Sequence, residues 1–188
     1  MTNALHRAVF LDRDGVINRN RADHVKSWAE FEFLPGALAS LQRLARLPCL
    51  VIVVSNQSII GRGLVSQSVV DEIHQRMMAE IDAAGGRIDA VFYCPHRPDE
   101  GCGCRKPQPG LLLQAARELA IDLTRSFLVG DAESDVRAAQ AAGCLPLLVR
   151  TGRGQAQELL LRQQGLDSVI VVDDLASAVA WIEPHGAW

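Results

Sequence analysis

Short, nearly all-apolar segments recur along the chain, separated by longer segments whose apolar residues fall three or four positions apart. Apolar runs of this kind are typical of parallel strands, which are covered on both faces of the sheet. A spacing of three or four residues is typical of helices with one buried face. The predicted strands are residues 8–12, 50–54, 89–93, 126–131, 144–149 and 168–172. The predicted helices are residues 35–47, 66–84, 109–119, 133–142, 155–164 and 175–182.

This alternation of strand and helix predicts a three-layer α/β fold, in which a mainly parallel sheet lies between helices on both faces. The chain of 188 residues is long enough for one complete core. Because no linker or internal repeat interrupts it, we predict a single domain over residues 1–188. That length leaves no room for both this sheet and a large cap domain.

The charge and hydropathy of the chain exclude several partners. The formal net charge is −3 and the sequence pI is about 5.9, whereas binding to nucleic acid phosphates needs a clustered basic face. No apolar run reaches the roughly 18 residues of a membrane span, and the polar N-terminus lacks the apolar core of a signal peptide. We therefore expect a cytoplasmic monomer that binds neither nucleic acid nor membrane.

The first predicted strand ends at two acids, Asp12 and Asp14, and Gly15 follows them. Side chains two residues apart in an extended chain point to the same side, so both carboxylates can face one pocket. An ionised carboxylate can attack phosphorus without a general base, and a second one can exchange protons with the leaving oxygen and with water. Two acids this close imply a divalent cation, for which oxygen ligands favour Mg²⁺. The alternative is an acidic turn without chemistry.

Two further polar segments could belong to the same pocket. Residues 55–58 end the second predicted strand, at the carboxyl edge where open α/β sheets bind ligands. Residues 18–34 form a predicted loop with basic side chains soon after the acids, and these could meet a phosphorylated substrate. The alternative is a solvated polar loop. Trp28, Phe31 and Phe33 could fix this loop to the core.

Three cysteines and one histidine lie close together in the pattern C-x-H-x5-C-x-C. They are Cys94, His96, Cys102 and Cys104. Three thiolates and one imidazole make a tetrahedral ligand set for Zn²⁺. The prolines, glycines and charged residues between them cannot build a core, so a metal would order residues 94–104. Because all four positions are filled, we predict that this zinc loop is structural; four unliganded residues are the alternative.

Two cations follow the last of these cysteines directly, Arg105 and Lys106. Held by a metal-ordered loop, they can be aimed at a phosphate, Lys106 as a point charge and Arg105 as a planar fork. A solvated basic pair is the alternative.

The remaining cysteines and the histidine of the second predicted helix are expected to have ordinary structural roles. Cys49 and Cys144 lie at the starts of predicted strands and are expected to be core thiols. We expect His74 to be a surface residue of its helix rather than a metal ligand.

In chain order, the segments Asp12-Arg13-Asp14-Gly15, Ser55, Arg105-Lys106 and Gly130-Asp131, with Asp135 nearby, form one set. This set resembles the motifs of the haloacid-dehalogenase-like (HAD) superfamily of phosphotransferases across almost the whole chain. The resemblance implies a Rossmann-like fold, with Asp12 as the nucleophile that forms an aspartyl-phosphate and Asp14 as the general acid/base. It implies that Ser55 and Lys106 hold the phosphoryl group. It also implies that Mg²⁺ is bound by Asp12, Asp131 and the backbone carbonyl of Asp14.

Longer stretches resemble one family of this superfamily, the D-glycero-D-manno-heptose-1,7-bisphosphate 7-phosphatases. These stretches are residues 12–18, 55–58, 62–63, 94–96, 102–107, 109–110 and 149–152. The resemblance implies removal of the 7-phosphate in the synthesis of activated heptose for lipopolysaccharide core or glycoprotein, with the zinc loop replacing a cap domain. The residues then predicted to bind the phosphosugar are Asp12, Arg13, Asp14, Asn20, Arg21, Ala22, Asp23, Ser55, Asn56, Gln57, Ser58, Arg62, Arg105 and Lys106.

Two features depart from the usual pattern of that family. Five residues separate His96 from Cys102, a short spacing that is similar to that of the histidinol-phosphate phosphatases. Ala132 follows Asp131, where a lysine that contacts substrate is common. The Asn-Gln-Ser sequence at residues 56–58, with Arg62 after it, favours heptose.

Three classes of function therefore remain open. The first is a small-molecule phosphatase, acting on heptose bisphosphate or, as the alternative, on histidinol phosphate. The second is a nucleic-acid end phosphatase of the same superfamily, which needs a basic groove that this acidic chain does not indicate. The third is a catalytically inactive phosphosugar-binding module, which the presence of both Asp12 and Asp14 disfavours.

Overall fold

A six-stranded sheet, with all neighbouring strands parallel, forms the centre of the molecule, in a computed structural model that describes residues 5–166 and 168–186. The strands are β1 (Ala8–Leu11), β2 (Leu50–Asn56), β3 (Ala90–Cys94), β4 (Phe127–Gly130), β5 (Leu145–Val149) and β6 (Ile170–Val172). The helices are α1 (Ala37–Leu44), α2 (Gln67–Ala83), α3 (Gly110–Leu119), α4 (Glu133–Ala142), α5 (Gly154–Gln163) and α6 (Leu175–His185). The predicted three-layer α/β fold is confirmed. Strand β2 extends two residues beyond the predicted end, and β6 begins two residues after the predicted start.

The period of two along each strand divides its apolar residues between the two faces of the sheet. On one face, alternate residues such as Val9 and Val51 pack against α1, α2 and α6. On the other face, Phe10 and Ile52 pack against α3 and α4, and Leu148 packs against α5. All of these strand residues are almost completely buried. This explains why the strands are nearly all apolar rather than alternating.

The strand order β3-β2-β1-β4-β5-β6 places a topological switch point beside β1. The chain proceeds outward from β1 to β3 and then returns to β4, which pairs with the other side of β1. The connections that follow β1 and β4 run in opposite directions along the sheet, so a crevice opens at the carboxyl ends of these two strands. Ligands bind at such crevices in open α/β sheets.

The long connection between β1 and α1 contains one short 3-10 turn, Trp28–Glu30, and no separate domain. Trp28 stacks on Phe31 with ring centroids 4.9 Å apart, and Phe31 meets Phe33 edge-on at 5.0 Å. All three rings pack against the core face that carries α1 and α2. The expectation that these aromatic residues fix the loop to the core is confirmed.

None of the helices in the described ranges combines the length and the apolar character that a membrane span requires.

Candidate active site

Three buried carboxylates meet at the switch point. Asp12 follows β1, Asp131 follows β4, and Asp135 lies in the first turn of α4. One oxygen from each lies within 4.8 Å of the others, and all three residues are at most 5% exposed. The order of the strands therefore brings together acids that are about 120 residues apart in the chain.

Lys106 is buried between two of these acids. Its Nζ lies 3.0 Å from Asp12 Oδ1 and 2.6 Å from Asp135 Oδ1, and it donates to the Val54 carbonyl at 2.8 Å. The Asn56 side chain holds the Lys106 backbone, donating to its carbonyl at 3.0 Å and accepting from its amide at 3.1 Å. Burial alone would lower the pKa of Lys106, but the charges of Asp12 and Asp135 outweigh it and raise that pKa. The lysine is therefore a fixed cation.

Two cations, Lys106 and the Arg153 guanidinium, whose Nη2 lies 3.1 Å from Asp131 Oδ1, do not balance the three carboxylates. Burial raises the pKa of Asp12 to about 6, and the nearby charge of Asp135 acts in the same direction against the opposing effect of Lys106. Burial and the charge of Asp12 also raise the pKa of Asp131, against the opposing effect of Arg153. Excess negative charge and oxygen-only donors are what a hard divalent cation such as Mg²⁺ requires. The donor set fits the predicted ion, with Asp135 as a neighbour of the predicted ligands.

Two glycines allow the backbone to close on Asp131. Gly15 (φ +92°) and Gly152 (φ +59°) have left-handed backbones, and a Cβ on either would lie 2.1 or 2.2 Å from Asp131 Oδ2. The loop after β5 is joined to the loop after β1 by Thr151, whose hydroxyl donates to the Gly15 carbonyl at 2.7 Å. From the same β5 loop, Arg153 donates its backbone amide to Asp131 Oδ2 at 2.9 Å. Asp131 is thus held from two loops.

Asp14 has a different environment from Asp12, although it lies only two residues away. Arg13 Nη2 donates to both of its oxygens at 3.0 and 2.9 Å, and side-chain amides donate from Asn18 and Gln57 at 2.9 Å each. Burial would raise the pKa of Asp14, but the Arg13 guanidinium and these amides outweigh it and hold that pKa below its ordinary value. The environments of Asp12 and Asp14 therefore shift their pKa values in opposite directions.

Arg13 and His74 form a buried contact behind Asp14. Arg13 is 1% exposed and His74 is 3% exposed, and Arg13 Nη1 lies 3.2 Å from His74 Nε2. The expectation that His74 is a surface residue is wrong, because α2 turns this side of the helix toward the sheet. Burial, with the neighbouring Arg13 charge, lowers the pKa of His74 to about 3. The ring is therefore neutral at physiological pH.

A cavity of about 490 Å³ opens above these groups. The predicted substrate-binding residues that line it are Asp12, Arg13, Asp14, Asn20, Arg21, Ala22, Ser55, Asn56, Gln57, Ser58, Arg105 and Lys106. Side chains not predicted to bind substrate also line it, and they are His24, Val25, Pro107, Ser134, Asp135 and Arg153. The sequence analysis places Asp135 near Asp131 in the HAD motif set but gives it no role; His24 and Arg153 carry no such signal.

Two predicted substrate contacts lie outside the lining of this cavity. Asp23 is exposed and forms an ion pair with Lys26, whose Nζ lies 2.5 Å from Asp23 Oδ2. Arg62 lines a separate surface depression beside Arg97 and Asp99. A substrate contact by either residue stays a prediction. The Arg13 guanidinium, although at the cavity wall, contacts Asp14 and His74.

The four predicted zinc ligands converge. Their ligand atoms lie within 4.8 Å of one another. Cys104 Sγ is 3.2 Å from Cys94 Sγ and 3.2 Å from His96 Nδ1, and Cys102 Sγ is 3.5 Å from Cys94 Sγ. Tetrahedral Zn²⁺ with Zn–S bonds of about 2.3 Å puts sulfur atoms roughly 3.7 Å apart, so the donors and their spacing fit this ion. The cysteines are free thiols rather than disulfides.

The fold and this constellation of acids define a class: a HAD-type hydrolase with a parallel α/β fold and carboxylates at the ends of its two central strands. The HAD-hydrolase-like family model matches residues 103–178. Two solved structures share the fold over nearly the whole chain. D,D-heptose 1,7-bisphosphate phosphatase from Bordetella bronchiseptica, complexed with magnesium and phosphate, has a TM-score of 0.89 and 40% identity, covering 95% of this chain and 99% of that chain. D,D-heptose 1,7-bisphosphate phosphatase from Burkholderia thailandensis has a TM-score of 0.71 and 34% identity, covering 94% and 97%.

Curated sequences agree with the solved structures. D-glycero-beta-D-manno-heptose-1,7-bisphosphate 7-phosphatase from Bordetella bronchiseptica is 42% identical over 172 residues, 91% of this chain and 94% of that protein. The Pseudomonas aeruginosa protein of the same name is 37% identical over 172 residues, 92% of this chain and 95% of that protein. The chain therefore belongs to the D-glycero-β-D-manno-heptose-1,7-bisphosphate 7-phosphatase family of HAD-type hydrolases.

Proposed function

We propose that this protein hydrolyses the C7 phosphate of D-glycero-β-D-manno-heptose 1,7-bisphosphate through a phosphorylated Asp12. The observation that carries the proposal is the pair Asp12 and Asp14, which face one cavity in opposite electrostatic environments. The names of the relatives support the substrate. A cavity of about 490 Å³ lies within the range of small-molecule sites.

In the first step, a carboxylate oxygen of Asp12 attacks phosphorus while the bond from phosphorus to the C7 oxygen breaks. The electron pair of that bond goes to the sugar oxygen, which takes a proton from Asp14. In the second step, Asp14 removes a proton from water as the water oxygen attacks phosphorus, and the Asp12 carboxylate leaves. The negative charge of a bound phosphoryl group raises the pKa of Asp14, which favours its protonation for the first step.

Lys106 and Ser55 are proposed to bind the phosphoryl oxygens beside Asp12. Lys106 is suited to this role because it is buried, charged and held by Asn56. Asp12, Asp131 and the Asp14 carbonyl would hold Mg²⁺, with Asp135 next to them. When bound, the ion would neutralise charge on the phosphoryl oxygens.

The cysteine–histidine cluster is proposed to hold structural Zn²⁺. Lys106 lies two residues after Cys104, so order in the zinc loop is transmitted directly to the catalytic lysine. Arg105, which lines the cavity beside Lys106, is proposed to bind the sugar or its C1 phosphate. Arg21, across the cavity, is proposed to do the same. That the protein is a cytoplasmic monomer stays our prediction.

The experiment that tests this function is a comparison of kcat/KM on three compounds. We expect the β anomer of heptose 1,7-bisphosphate to be preferred over its α anomer and over histidinol phosphate. Asp12→Asn should be inactive on all three and controls for contaminating phosphatases. A preference for histidinol phosphate, to which the short spacing between His96 and Cys102 points, would overturn the substrate. Failure to turn over these compounds or any generic phosphate ester would indicate an inactive binding module.

A further inference from the structure

A buried hydrogen-bonded chain runs from α2 to the cavity and ends on Asp14. His74 lies in the middle of α2, and Arg13 lies between the two aspartates of the first loop. Arg13 Nη1 contacts His74 Nε2 at 3.2 Å, and Arg13 Nη2 donates to both Asp14 oxygens at 3.0 and 2.9 Å. Two nitrogens of one planar group are thus fixed by partners on opposite sides.

The chemistry of the two groups determines which of Arg13 and His74 donates the hydrogen bond and which accepts it. A guanidinium has only donors, so His74 Nε2 must accept, and the ring proton must lie on Nδ1. The neutral ring that this requires is consistent with the lowered pKa of His74. The ring is also enclosed on the strand side, where Tyr93 packs at a centroid distance of 5.1 Å.

The Arg13 guanidinium serves the interior of the molecule rather than a ligand in solvent. The residue is 1% exposed, and its Nε atom has no hydrogen-bond partner among the described residues. Its hydrogen bonds to Asp14 and its contact with His74 therefore determine where the planar group lies. If residue 74 offers no acceptor, the Arg13 guanidinium loses the contact that fixes its orientation relative to the Asp14 carboxylate.

We propose that His74 is a positioning residue for proton transfer: it fixes the Arg13 guanidinium, which in turn holds the Asp14 carboxylate in the orientation that reaches the leaving oxygen. This inference rests on the proposed acid/base role of Asp14, but not on the identity of the sugar. Its consequence is specific, because only substrates whose leaving oxygen needs a proton depend on that orientation.

The test uses aryl phosphates with leaving groups from p-nitrophenol to phenol, measured as kcat/KM, which reports the steps up to the first irreversible one. His74→Phe keeps a ring but removes the acceptor, and His74→Met carries the same test if the phenylalanine variant does not fold. We expect a loss of about tenfold on phenyl phosphate and less than about twofold on p-nitrophenyl phosphate. His74→Gln, which offers an oxygen near the position of Nε2, should restore most of the lost rate.

Tyr93→Phe is the matched control, because Tyr93 contacts the His74 ring and hydrogen-bonds to Asp71, not to Arg13. It should change kcat/KM by the same small factor on every ester. An equal loss on all esters for His74→Phe, no loss, or no rescue by glutamine would overturn the proposal. Wild-type protein that cleaves aryl phosphates but not heptose bisphosphate would overturn the proposed substrate and leave this test intact.

Discussion

At the scale of single residues, the site separates groups that the sequence shows side by side. Asp12 and Asp14 are two positions apart, yet burial raises the pKa of Asp12 to about 6 while Arg13 and two amides hold that of Asp14 down against its own burial. Arg105 and Lys106 are adjacent, yet Lys106 is buried between Asp12 and Asp135 while Arg105 is partly exposed. Adjacent residues therefore have different expected roles.

The first prediction concerns Arg105 and Lys106. Arg105→Ala should lower kcat/KM on heptose 1,7-bisphosphate by about tenfold or more, and change it by less than about twofold on p-nitrophenyl phosphate, which cannot reach a remote contact. Lys106→Met should lower it by roughly 10²–10³-fold on both compounds, because every substrate presents a phosphoryl group there. Equal losses on both compounds for Arg105→Ala would show that Arg105 is not a substrate-specific contact.

The second prediction concerns stability and His74. Because the folded pKa of His74 is lowered from 6.5 to about 3, the unfolded chain binds a proton at this residue below pH 6.5 while the folded protein does not. As the pH is lowered from 6.5 to about 3, the free energy of unfolding of the wild-type protein should therefore fall relative to that of His74→Gln. The expected slope is about 1.4 kcal/mol per pH unit. Urea unfolding of both proteins at pH 7.5, 5.5 and 4.5 measures this. Parallel pH profiles would contradict a buried neutral ring.

At the scale of elements, two loops support the site from opposite sides. The zinc loop leads into Arg105 and Lys106, and the loop after β5 closes on Asp131 through Gly152 and Arg153. Neither loop has an apolar core of its own. Each depends on a few specific contacts, so single substitutions there should affect the site more than their surface position indicates.

The third prediction concerns the zinc loop. Protein purified without added metal should contain about one Zn²⁺ per chain, and Cys102→Ser should lower the zinc content, the melting temperature and the activity together. Cys49→Ala is the control, because Cys49 is a buried thiol in the core cluster and not a member of the metal-binding group. It should lower stability without lowering zinc content, measured by elemental analysis. A wild-type zinc content near zero would refute the site.

The fourth prediction concerns Gly152. A methyl group there would lie 2.2 Å from Asp131 Oδ2 and 2.6 Å from Gly15 Cα, so Gly152→Ala should displace Asp131. We expect the Mg²⁺ concentration for half-maximal activity to rise by about tenfold or more. Gly165→Ala, after α5, has a similar φ of +72° but nothing within 4 Å of the added atom. Gly165→Ala should therefore introduce similar backbone strain without raising the Mg²⁺ concentration for half-maximal activity. An equal rise in that concentration for both variants would contradict the argument.

The elements could largely be predicted from the sequence, whereas several contacts of the site could not. Apolar runs and helical spacing located all six strands and all six helices of the described residues, because both are local patterns. The pairing of Lys106 with Asp135 and of Arg13 with His74 depends on packing between segments far apart in the chain. The burial of His74 had a local signal, because it lies four residues after Val70 and three before Met77, on the buried face of α2. The polar character of the residue, taken without this spacing, led to the wrong expectation of a surface position.

At the scale of the whole molecule, strand order determines where the chemistry lies. The switch point beside β1 brings Asp12 and Asp131 to one crevice, and the connections after β1, β3 and β5 surround it with the cationic side chains Arg21, Arg105 and Arg153. Arg21 is paired with Asp23 at 3.3 Å and Arg153 with Asp131 at 3.1 Å, whereas Arg105 Nη1 donates to the backbone carbonyl of His96. Of these three arginines, Arg105 is therefore the one best placed to bind a second phosphate away from the one that is transferred.

The central claim is that this site removes one particular phosphate of two. The most direct test is ³¹P NMR of D-glycero-β-D-manno-heptose 1,7-bisphosphate during incubation with the protein and Mg²⁺, with Asp12→Asn as the inactive control. The account predicts that the C7 phosphate signal disappears, inorganic phosphate appears in equal amount, and the C1 phosphate signal remains. Loss of the C1 phosphate, or phosphate release by Asp12→Asn at the wild-type rate, would contradict it.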